Sequence, residues 1–361
     1  MEPVTARLAS REISLAVADK RDPTGASKGP RDEDALSTLT ELVGGDMEAT
    51  NRLIVQRMDS PVALIPQLAA HLVAAGGKRL RPLLTLATAR LCLYPGPEGG
   101  SRHVALAACV EFIHTATLLH DDVVDESQLR RGLASANAVF GNKASVLVGD
   151  FLFARAFQIM VADGSLRVLD ILSRAAATIA EGEVLQLATQ NDLSTTEARY
   201  LEVVRGKTAA LFAAACQVGA VVGERPAAEE TALAEYGMGL GIAFQLVDDA
   251  LDYAADQLRL GKTVGDDFRE GKITLPVLAA YAAGDGVERA FWQRTIEMCE
   301  QTEADLDHAL SLMARHGAIR FTLDRAAEFA RTAQLALDVF PESRLRRTLR
   351  EVADYTVQRA R

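Results

Sequence analysis

Two aspartate-rich stretches in this 361-residue chain have the composition and spacing of a metal-binding group. Both follow the pattern Asp-Asp-x-x-Asp, and their carboxylates belong to Asp121, Asp122, Asp125, Asp248, Asp249 and Asp252. Because residues four apart share a face of a helix, the outer two aspartates of each stretch are expected to point the same way. Clustered carboxylates repel one another unless a cation neutralises them, and Mg²⁺ commonly bridges carboxylates to substrate phosphates. Two such clusters facing each other would clamp a diphosphate through metal ions.

A solvated acidic surface is the simplest alternative for either stretch alone. The flanking residues argue against it, since apolar side chains such as Phe112, Ile113, Phe244 and Leu246 surround the aspartates. Carboxylates in an apolar setting are costly unless they are paired or bound to a metal. An EF-hand calcium loop does not fit either, because its alternating acidic ligands and central glycine are absent.

Basic residues stand at two other points where a phosphate could bind. Lys78 and Arg81 are three apart, so they could share one helical face near a helix N-terminus, where free backbone N–H groups favour anions. Arg130 and Arg131 closely follow the first aspartate cluster, and arginine grips phosphate oxygens in a two-pronged way. A solvated basic face is the alternative, but the combination with paired carboxylates favours a diphosphate site.

The elements that must position these residues are predicted to be helices throughout. Residues 1–36 contain proline, glycine and an acidic run that break any periodicity, and they predict a flexible N-terminal extension. Beyond it, Ser60-Pro61 predicts a helix start and Gly76-Gly77 its end, and no stretch alternates as a strand would. The clusters fall near the ends of predicted helices at about 102–126 and 229–256. We therefore predict an all-α fold in which residues 37–361 form a single large helical bundle around a central cavity.

Composition narrows the class of protein. The 39 basic and 49 acidic residues give a formal net charge of -10, which argues against a nucleic-acid partner. The four widely spaced cysteines predict reduced thiols. No apolar run is judged long enough to span a bilayer. The N-terminus lacks an apolar signal core. We expect a cytoplasmic protein without a transmembrane segment, with peripheral membrane contact for product release.

In order and content, the motifs resemble those of the trans-isoprenyl diphosphate synthases over roughly residues 40–361. The matching segments are Gly76-Gly77-Lys78-Arg79-Leu80-Arg81-Pro82, Asp121 to Arg131, Gly206-Lys207-Thr208, Phe244-Gln245, Asp248 to Asp252, and Gly261-Lys262 through Gly271-Lys272. Each segment alone is a weak signal, but the complete ordered set leaves little room for chance.

The resemblance implies a homodimeric enzyme that joins isopentenyl diphosphate head-to-tail to an allylic diphosphate. It implies two or three Mg²⁺ ions, replaceable by Mn²⁺, on Asp121, Asp125 and Asp248, with the other cluster aspartates also counted as catalytic. Around the allylic diphosphate it implies Arg130, Lys207, Gln245 and Lys262, and around isopentenyl diphosphate it implies Lys78, Arg81, His114 and Arg131. Two further substrate-binding residues that it implies are Arg79 and Lys272. Thr208 and Gln245 would stabilise the allylic cation through oxygen dipoles, and pyrophosphate would accept the proton.

The length of the product depends on an apolar tunnel that would run from the first cluster along the preceding helical turns. Its predicted lining is Ile113, Ala116 and Thr117, with Cys109 and Ala105 deeper in. Ala116 lies five residues before Asp121, where short-chain relatives often carry an aromatic plug, so alanine leaves the tunnel open. The resemblance of Asp-Asp-Val-Val-Asp-Glu-Ser to the quinone side-chain subgroup implies an octaprenyl to decaprenyl product, with decaprenyl favoured, for ubiquinone biosynthesis.

Three alternatives remain beside this interpretation. A medium-chain synthase making farnesyl or geranylgeranyl diphosphate is opposed by the small residues at 116 and 117. A terpene cyclase would need a different second metal motif and would not need Lys78 and Arg81. A non-catalytic partner subunit would have lost an aspartate motif or the basic pocket, whereas both are intact in this sequence.

Overall fold

The computed structural model describes residues 34–74, 76–94, 100–130, 132–254 and 264–360. Within these ranges almost every element is a helix, as the sequence predicts. The α-helices are α1 (Asp34–Leu42), α2 (Gly44–Arg57), α3 (Leu64–Ala74), α4 (Leu80–Leu91), α5 (Arg102–Val124), α6 (Ala136–Phe140), α7 (Asn142–Asp163), α8 (Leu166–Thr189), α9 (Glu197–Val204), α10 (Ala210–Val222), α11 (Ala227–Asp252), α12 (Asp266–Arg269), α13 (Leu275–Ala283), α14 (Gly286–Trp292), α15 (Asp305–Arg315), α16 (Ala318–Ala336) and α17 (Arg344–Gln358). Two π-helical turns, Arg205–Ala209 and Gln293–Glu297, and a 3₁₀ turn, Leu337–Val339, extend α9, α14 and α16. The predicted extension up to residue 33, Arg131 and Lys262 lie outside the described residues.

A small hairpin after α5 departs from the prediction of helices alone. Strand β1 (Leu129–Arg130) pairs antiparallel with β2 (Leu133–Ala134), with Leu129 opposite Ala134. The connecting turn includes Gly132, which has a φ of 79°. Strands of two residues are too short to show the alternation by which a strand is predicted from sequence.

The helix that follows Ser60-Pro61 begins later than predicted. α3 starts at Leu64, and the Ser60 hydroxyl accepts a hydrogen bond from the backbone N–H of Val62 at 3.2 Å. Ser60 therefore closes a local turn before the helix instead of capping it, a use of serine that competes with capping.

The centre of the bundle is α10, whose sequence is apolar or small on every side. Such a helix is expected to be buried all round, and nearly all of α10 is buried. It packs against α4, α8 and α11 and also touches α5. Apolar core clusters surround it on both sides.

The two aspartate clusters lie at the C-terminal ends of α5 and α11. α5 packs along α7, and α11 packs along α16, while α10 contacts both cluster-bearing helices. Because α10 fixes both helices from within the core, their acidic ends are brought to one region.

Two helices are long and apolar enough, by length and composition alone, to cross a membrane, contrary to the prediction that no run qualifies. In α5, 61% of the apolar window is buried inside the protein, as in the core helix of a folded domain. In α7 only 39% is buried, and Leu147, Phe157 and Val161 are exposed. The apolar length of α5 is therefore explained by burial, whereas α7 presents an uncovered apolar face.

Candidate active site

Both aspartate clusters open onto one cavity of about 700 Å³. Its lining residues are Gly77, Lys78, Arg79, Leu80, Arg81, Glu111, His114, Thr117, Leu118, Asp121, Asp125, Arg130, Glu183, Lys207, Thr208, Phe212, Phe244, Gln245, Asp248, Lys272 and Arg359. Most of the residues singled out in the sequence are therefore brought together, although they come from distant parts of the chain.

Within the first cluster the shared helical face exists as predicted. Asp121 lines the cavity from the last turn of α5, and Asp125, the C-cap of this helix, lines it as well. Asp122 is buried and does not line the cavity. Arg130 Nε donates a 2.7 Å hydrogen bond to Asp122 Oδ1, and a terminal nitrogen of Arg130 lies 2.5 Å from the same oxygen. Arg130 also lines the cavity, so its charge is shared between Asp122 and the space where a phosphate would lie.

The second cluster divides differently from the prediction. Asp248 lines the cavity, but Asp252 is not among the lining residues, although the two are four residues apart. The helix ends at Asp252, whose carboxylate accepts the backbone N–H of Asp267 at 3.1 Å. Asp248 and Asp252 both lie within α11 at the spacing predicted for a shared helical face, but of the two only Asp248 is at the cavity, and the chain that follows α11 engages the Asp252 carboxylate. Asp249 is buried, and it also faces away from the main cavity.

Lys207 and Lys272 place positive charge among the carboxylates. Lys207 Nζ lies 2.6 Å from Glu183 and 4.0 Å from Asp121. Lys272 Nζ lies 3.2 Å from Asp125 and 2.6 Å from Glu270. Both lysines are thus close to the first cluster, near which the resemblance implies Lys207 at the allylic diphosphate and Lys272 as a further substrate-binding residue.

A tight contact between α8 and the π-helical turn positions Lys207. Gly182 on α8 packs against Gly206, and a Cβ at Gly182 would lie only 2.4 Å from the backbone nitrogen of Lys207. Only glycine permits this approach, which brings the Lys207 ammonium to Glu183 on the same helix. Single π-turns of this kind are frequent at functional sites.

Two carboxyl groups at the cavity lie in surroundings that disfavour their charged forms. Burial raises the pKa of Asp121, and the nearby Lys207 offsets this only in part. Burial likewise raises the pKa of Glu183 to about 7, again against the influence of Lys207. A raised carboxyl pKa means that the charged form is held at a cost, which a bound cation would relieve.

The donor set fits a divalent cation that shares its coordination with a substrate. Within the described ranges, no three His, Cys, Asp or Glu side chains converge closely enough to hold a metal by themselves. Asp121 and Asp125 from α5 and Asp248 from α11 nevertheless present oxygens to one cavity. Mg²⁺ typically binds one or two carboxylates and completes its shell with water and phosphate oxygens. The arrangement suits Mg²⁺ that enters together with a diphosphate.

The basic end of the cavity is built around the start of α4. Arg79 is the N-cap of this helix with a φ of 44°, so Lys78 precedes the helix and does not share a helical face with Arg81 as predicted. Both side chains still line the cavity. Arg81 lies 3.1 Å from His114 Nε2 and stacks 4.3 Å from the centre of the Phe212 ring. The predicted group of Lys78, Arg79, Arg81 and His114 is therefore assembled at this end.

Five lining residues lie outside the motifs and candidate sites found in the sequence: Glu111, Leu118, Glu183, Phe212 and Arg359. Arg359 follows the last helix, stacks 4.4 Å from the centre of the Phe244 ring and donates a 2.6 Å hydrogen bond to Asp248. Glu183 could have been found by the criterion used for the aspartates, a carboxylate within apolar helical sequence. Arg359 carries no such signal, since its partner is far away in the chain.

The residues predicted to set product length are only partly at the cavity. Thr117 lines it, whereas Ala116 and Ile113 are fully buried in the core. The Cys109 thiol contacts the backbone oxygen of Ala156 on α7 at 3.4 Å, and Ala116, seven residues later, lies on the same helical face. Ala116 thus faces α7, and its role in product length stays a prediction.

Comparison with known proteins gives consistent matches over most of the chain. The family model described as polyprenyl synthetase matches residues 62–313. Octaprenyl diphosphate synthase of Escherichia coli (strain K12) is 48% identical over 326 residues, which are 90% of this chain and 99% of that protein. The crystal structure of a decaprenyl diphosphate synthase from Rhodobacter capsulatus matches with a TM-score of 0.86 and 54% identity, covering 90% of this chain and 99% of that one. A polyprenyl synthase from Caulobacter crescentus CB15, crystallised with calcium and isoprenyl diphosphate, gives the same TM-score and identity over 90% and 98% of the two chains.

Proposed function

The chain belongs to the polyprenyl synthetase family and is a long-chain all-trans polyprenyl diphosphate synthase, and we propose that it extends an allylic diphosphate to decaprenyl diphosphate. The observation that carries this function is the meeting of both aspartate clusters and the Lys78–Arg81 group at one cavity. The named relatives, an octaprenyl and a decaprenyl synthase, support the long product. A non-catalytic subunit is disfavoured because neither charged group is missing.

We propose that Asp121, Asp125 and Asp248 bind two or three Mg²⁺ ions, which Mn²⁺ can replace. The calcium and isoprenyl diphosphate bound by the Caulobacter crescentus protein support a divalent ion. Mg²⁺ held there would supply the charge that stabilises the departing pyrophosphate. Lys207 and Lys272 hold the same diphosphate from their positions beside the first cluster.

The second substrate, isopentenyl diphosphate, is assigned to the basic end of the cavity. Lys78, Arg79 and Arg81 bind its diphosphate by charge-assisted hydrogen bonds, and His114 supports Arg81. The allylic C–O bond breaks first, and the isopentenyl double bond then attacks the resulting cation. Thr208 and Gln245 face that cation, and the released pyrophosphate accepts the proton lost from the new chain.

The exposed apolar face of α7 supports the proposal of a homodimer. Leu147, Phe157 and Val161 are exposed on this helix, and Leu166 and Val184 are exposed on the neighbouring α8. Soluble monomers rarely leave a large contiguous apolar surface uncovered, and a second copy could cover it. Sedimentation equilibrium should give twice the 38.8 kDa chain mass, and a monomer at micromolar concentration would contradict the proposal.

Product analysis tests the function directly. Purified protein with Mg²⁺, farnesyl diphosphate and radiolabelled isopentenyl diphosphate should yield mainly decaprenyl diphosphate, read by chromatography of the dephosphorylated prenols. Predominant farnesyl or geranylgeranyl products would favour the medium-chain alternative, and no incorporation would favour a non-catalytic subunit.

We also propose a cytoplasmic enzyme with peripheral membrane contact that supplies the ubiquinone side chain. Cell fractionation tests the location, and quinone analysis of a deletion strain tests the role in ubiquinone synthesis.

The same assay separates the two candidate length-determining residues. Thr117→Phe should shorten the product, because the ring would enter the cavity just below Asp121. Ala116→Phe should instead strain the packing against α7, with an overpacking cost of about 1–3 kcal/mol, and should shorten the product less. A full-length product from a folded, active Thr117→Phe variant would show that the chain does not grow past this residue.

A further inference from the structure

A chain of three hydrogen bonds connects a buried tyrosine to the cavity wall. Tyr200 on α9 donates its hydroxyl proton to Asp249 at 2.5 Å. The Gln245 amide nitrogen donates to the other oxygen of Asp249 at 2.7 Å. The Thr208 hydroxyl donates to the amide oxygen of Gln245 at 2.8 Å. Tyr200 and Asp249 are buried behind the wall, while Gln245 and Thr208 line the cavity.

The direction of these bonds follows from the inventory of donors and acceptors. Asp249 accepts the Tyr200 hydroxyl at one oxygen and the NH₂ group of Gln245 at the other, which turns the amide oxygen of Gln245 towards Thr208. Thr208 has a single hydroxyl proton, which this amide oxygen accepts. The hydroxyl proton of Thr208 therefore points to Gln245, and the lone pairs of its oxygen remain available to the cavity.

We propose that Tyr200 is a positioning residue that fixes this polarity, so that Thr208 presents negative oxygen density to the allylic cation. The inference rests on the proposed prenyl-transfer function. If the Gln245 amide turned over, its oxygen would meet the Asp249 carboxylate, and its NH₂ group would face Thr208. Thr208 would then accept a hydrogen bond and could point its proton at the cation, which would raise the barrier instead of lowering it.

Tyr200 holds Asp249 in place because it is the second donor to this carboxylate. With the tyrosine hydroxyl present, the two oxygens of Asp249 have separate partners, one on α9 and one on α11. Without the Tyr200 hydroxyl, the Asp249 carboxylate can rotate and accept hydrogen bonds from other donors. The Gln245 amide then loses its fixed orientation. The effect reaches the substrate through Asp249, Gln245 and Thr208 in turn.

The chain offers a matched control for the removal of this hydroxyl. Tyr236 is also fully buried, and its hydroxyl donates to the backbone oxygen of Leu349 at 2.8 Å, outside the cavity lining. Tyr200→Phe and Tyr236→Phe delete the same atom from the same kind of environment. Both should lower the thermal midpoint, but only Tyr200→Phe should lower kcat, by about 10-fold or more. The KM of isopentenyl diphosphate should change less than about 3-fold, because Lys78, Arg79 and Arg81 lie outside this chain of hydrogen bonds.

A second measurement separates positioning from a general loss of structure. A cationic ammonium analogue of the allylic cation, tested with pyrophosphate, should bind Tyr200→Phe more weakly by a factor similar to the loss in kcat. A thio-analogue of the allylic diphosphate, whose prenyl group carries no positive charge, should lose less affinity for Tyr200→Phe than the ammonium analogue does. The isosteric variant Asp249→Asn, which presents only one acceptor oxygen, should show the same selective loss, and it serves if Tyr200→Phe does not fold.

A double-mutant cycle completes the test. If Tyr200 acts through Thr208, Tyr200→Phe should cost little further activity in a Thr208→Ala background. Equal kcat and equal analogue binding in Tyr200→Phe and Tyr236→Phe, or full additivity in the cycle, would overturn the inference while the parent enzyme remained active. A parent protein that makes no prenyl diphosphate would instead overturn the proposed function, and the inference with it.

Discussion

Chelation of divalent ions should abolish prenyl transfer by this protein, and added Mg²⁺ should restore it. Asp121, Asp125 and Asp248 present carboxylates to the cavity, and burial raises the pKa of Asp121 even with Lys207 nearby. Without a metal, the departing pyrophosphate would bring more negative charge close to these three carboxylates. Losing this electrostatic stabilisation should lower turnover by at least ~10²-fold. Incorporation of radiolabelled isopentenyl diphosphate with EDTA, and again after Mg²⁺ addition, measures the effect.

The fold itself should be insensitive to the same treatment. No three potential ligands among the described residues form a metal cage, so EDTA alone should leave the thermal midpoint unchanged. Mg²⁺ with pyrophosphate should raise the midpoint more than either alone, because each completes the binding site of the other. Full turnover in metal-free buffer would contradict the metal-dependent mechanism, and unfolding in EDTA would indicate a structural metal instead.

The sequence predicts the fold and the site wherever a local rule decides the outcome. Asp121 and Asp125 line one cavity because the four-residue spacing extends to the residue that caps α5. Asp248 and Asp252 have the same spacing within α11, but the Asp252 carboxylate accepts the backbone N–H of Asp267 and is not among the residues that line the cavity. The spacing rule fails for Lys78, because the left-handed conformation of Arg79 separates it from the helix that carries Arg81. Helical spacing therefore predicts which residues share a face, whereas contacts with the following chain decide which of them reach the cavity.

Other parts of the site depend on contacts that no local pattern encodes. Arg359 meets Asp248 across 111 residues of sequence, and Tyr200 meets Asp249 across 49. The surroundings of Ala116 likewise depend on α7, a helix whose position cannot be read from the sequence of α5. These are properties of packing between helices, and they become visible only once the bundle is assembled.

Replacing a single cavity aspartate should reduce activity nearly as far as removing the metal. Asp121→Ala and Asp248→Ala should each lower kcat by at least ~10²-fold, because each removes a proposed ligand of the charge that stabilises the departing pyrophosphate. Steady-state kinetics across a range of Mg²⁺ concentrations measure both the loss and the expected rise in the Mg²⁺ needed for half-maximal rate.

The two variants should stay folded, which makes the kinetic loss interpretable. In Asp121→Ala, Lys207 keeps its 2.6 Å partner Glu183, so no lysine is left unpaired. In Asp248→Ala, Arg359 retains its stacking on Phe244 and its bond to the Phe244 carbonyl oxygen. Asp307→Ala, at an exposed position on α15, is the matched control and should keep the parent rate. Near-parental turnover in either cavity variant would remove that aspartate cluster from catalysis. Loss in Asp121→Ala alone would then place the metal-dependent chemistry at the end of α5, and Asp248 would keep only its ion pair with Arg359.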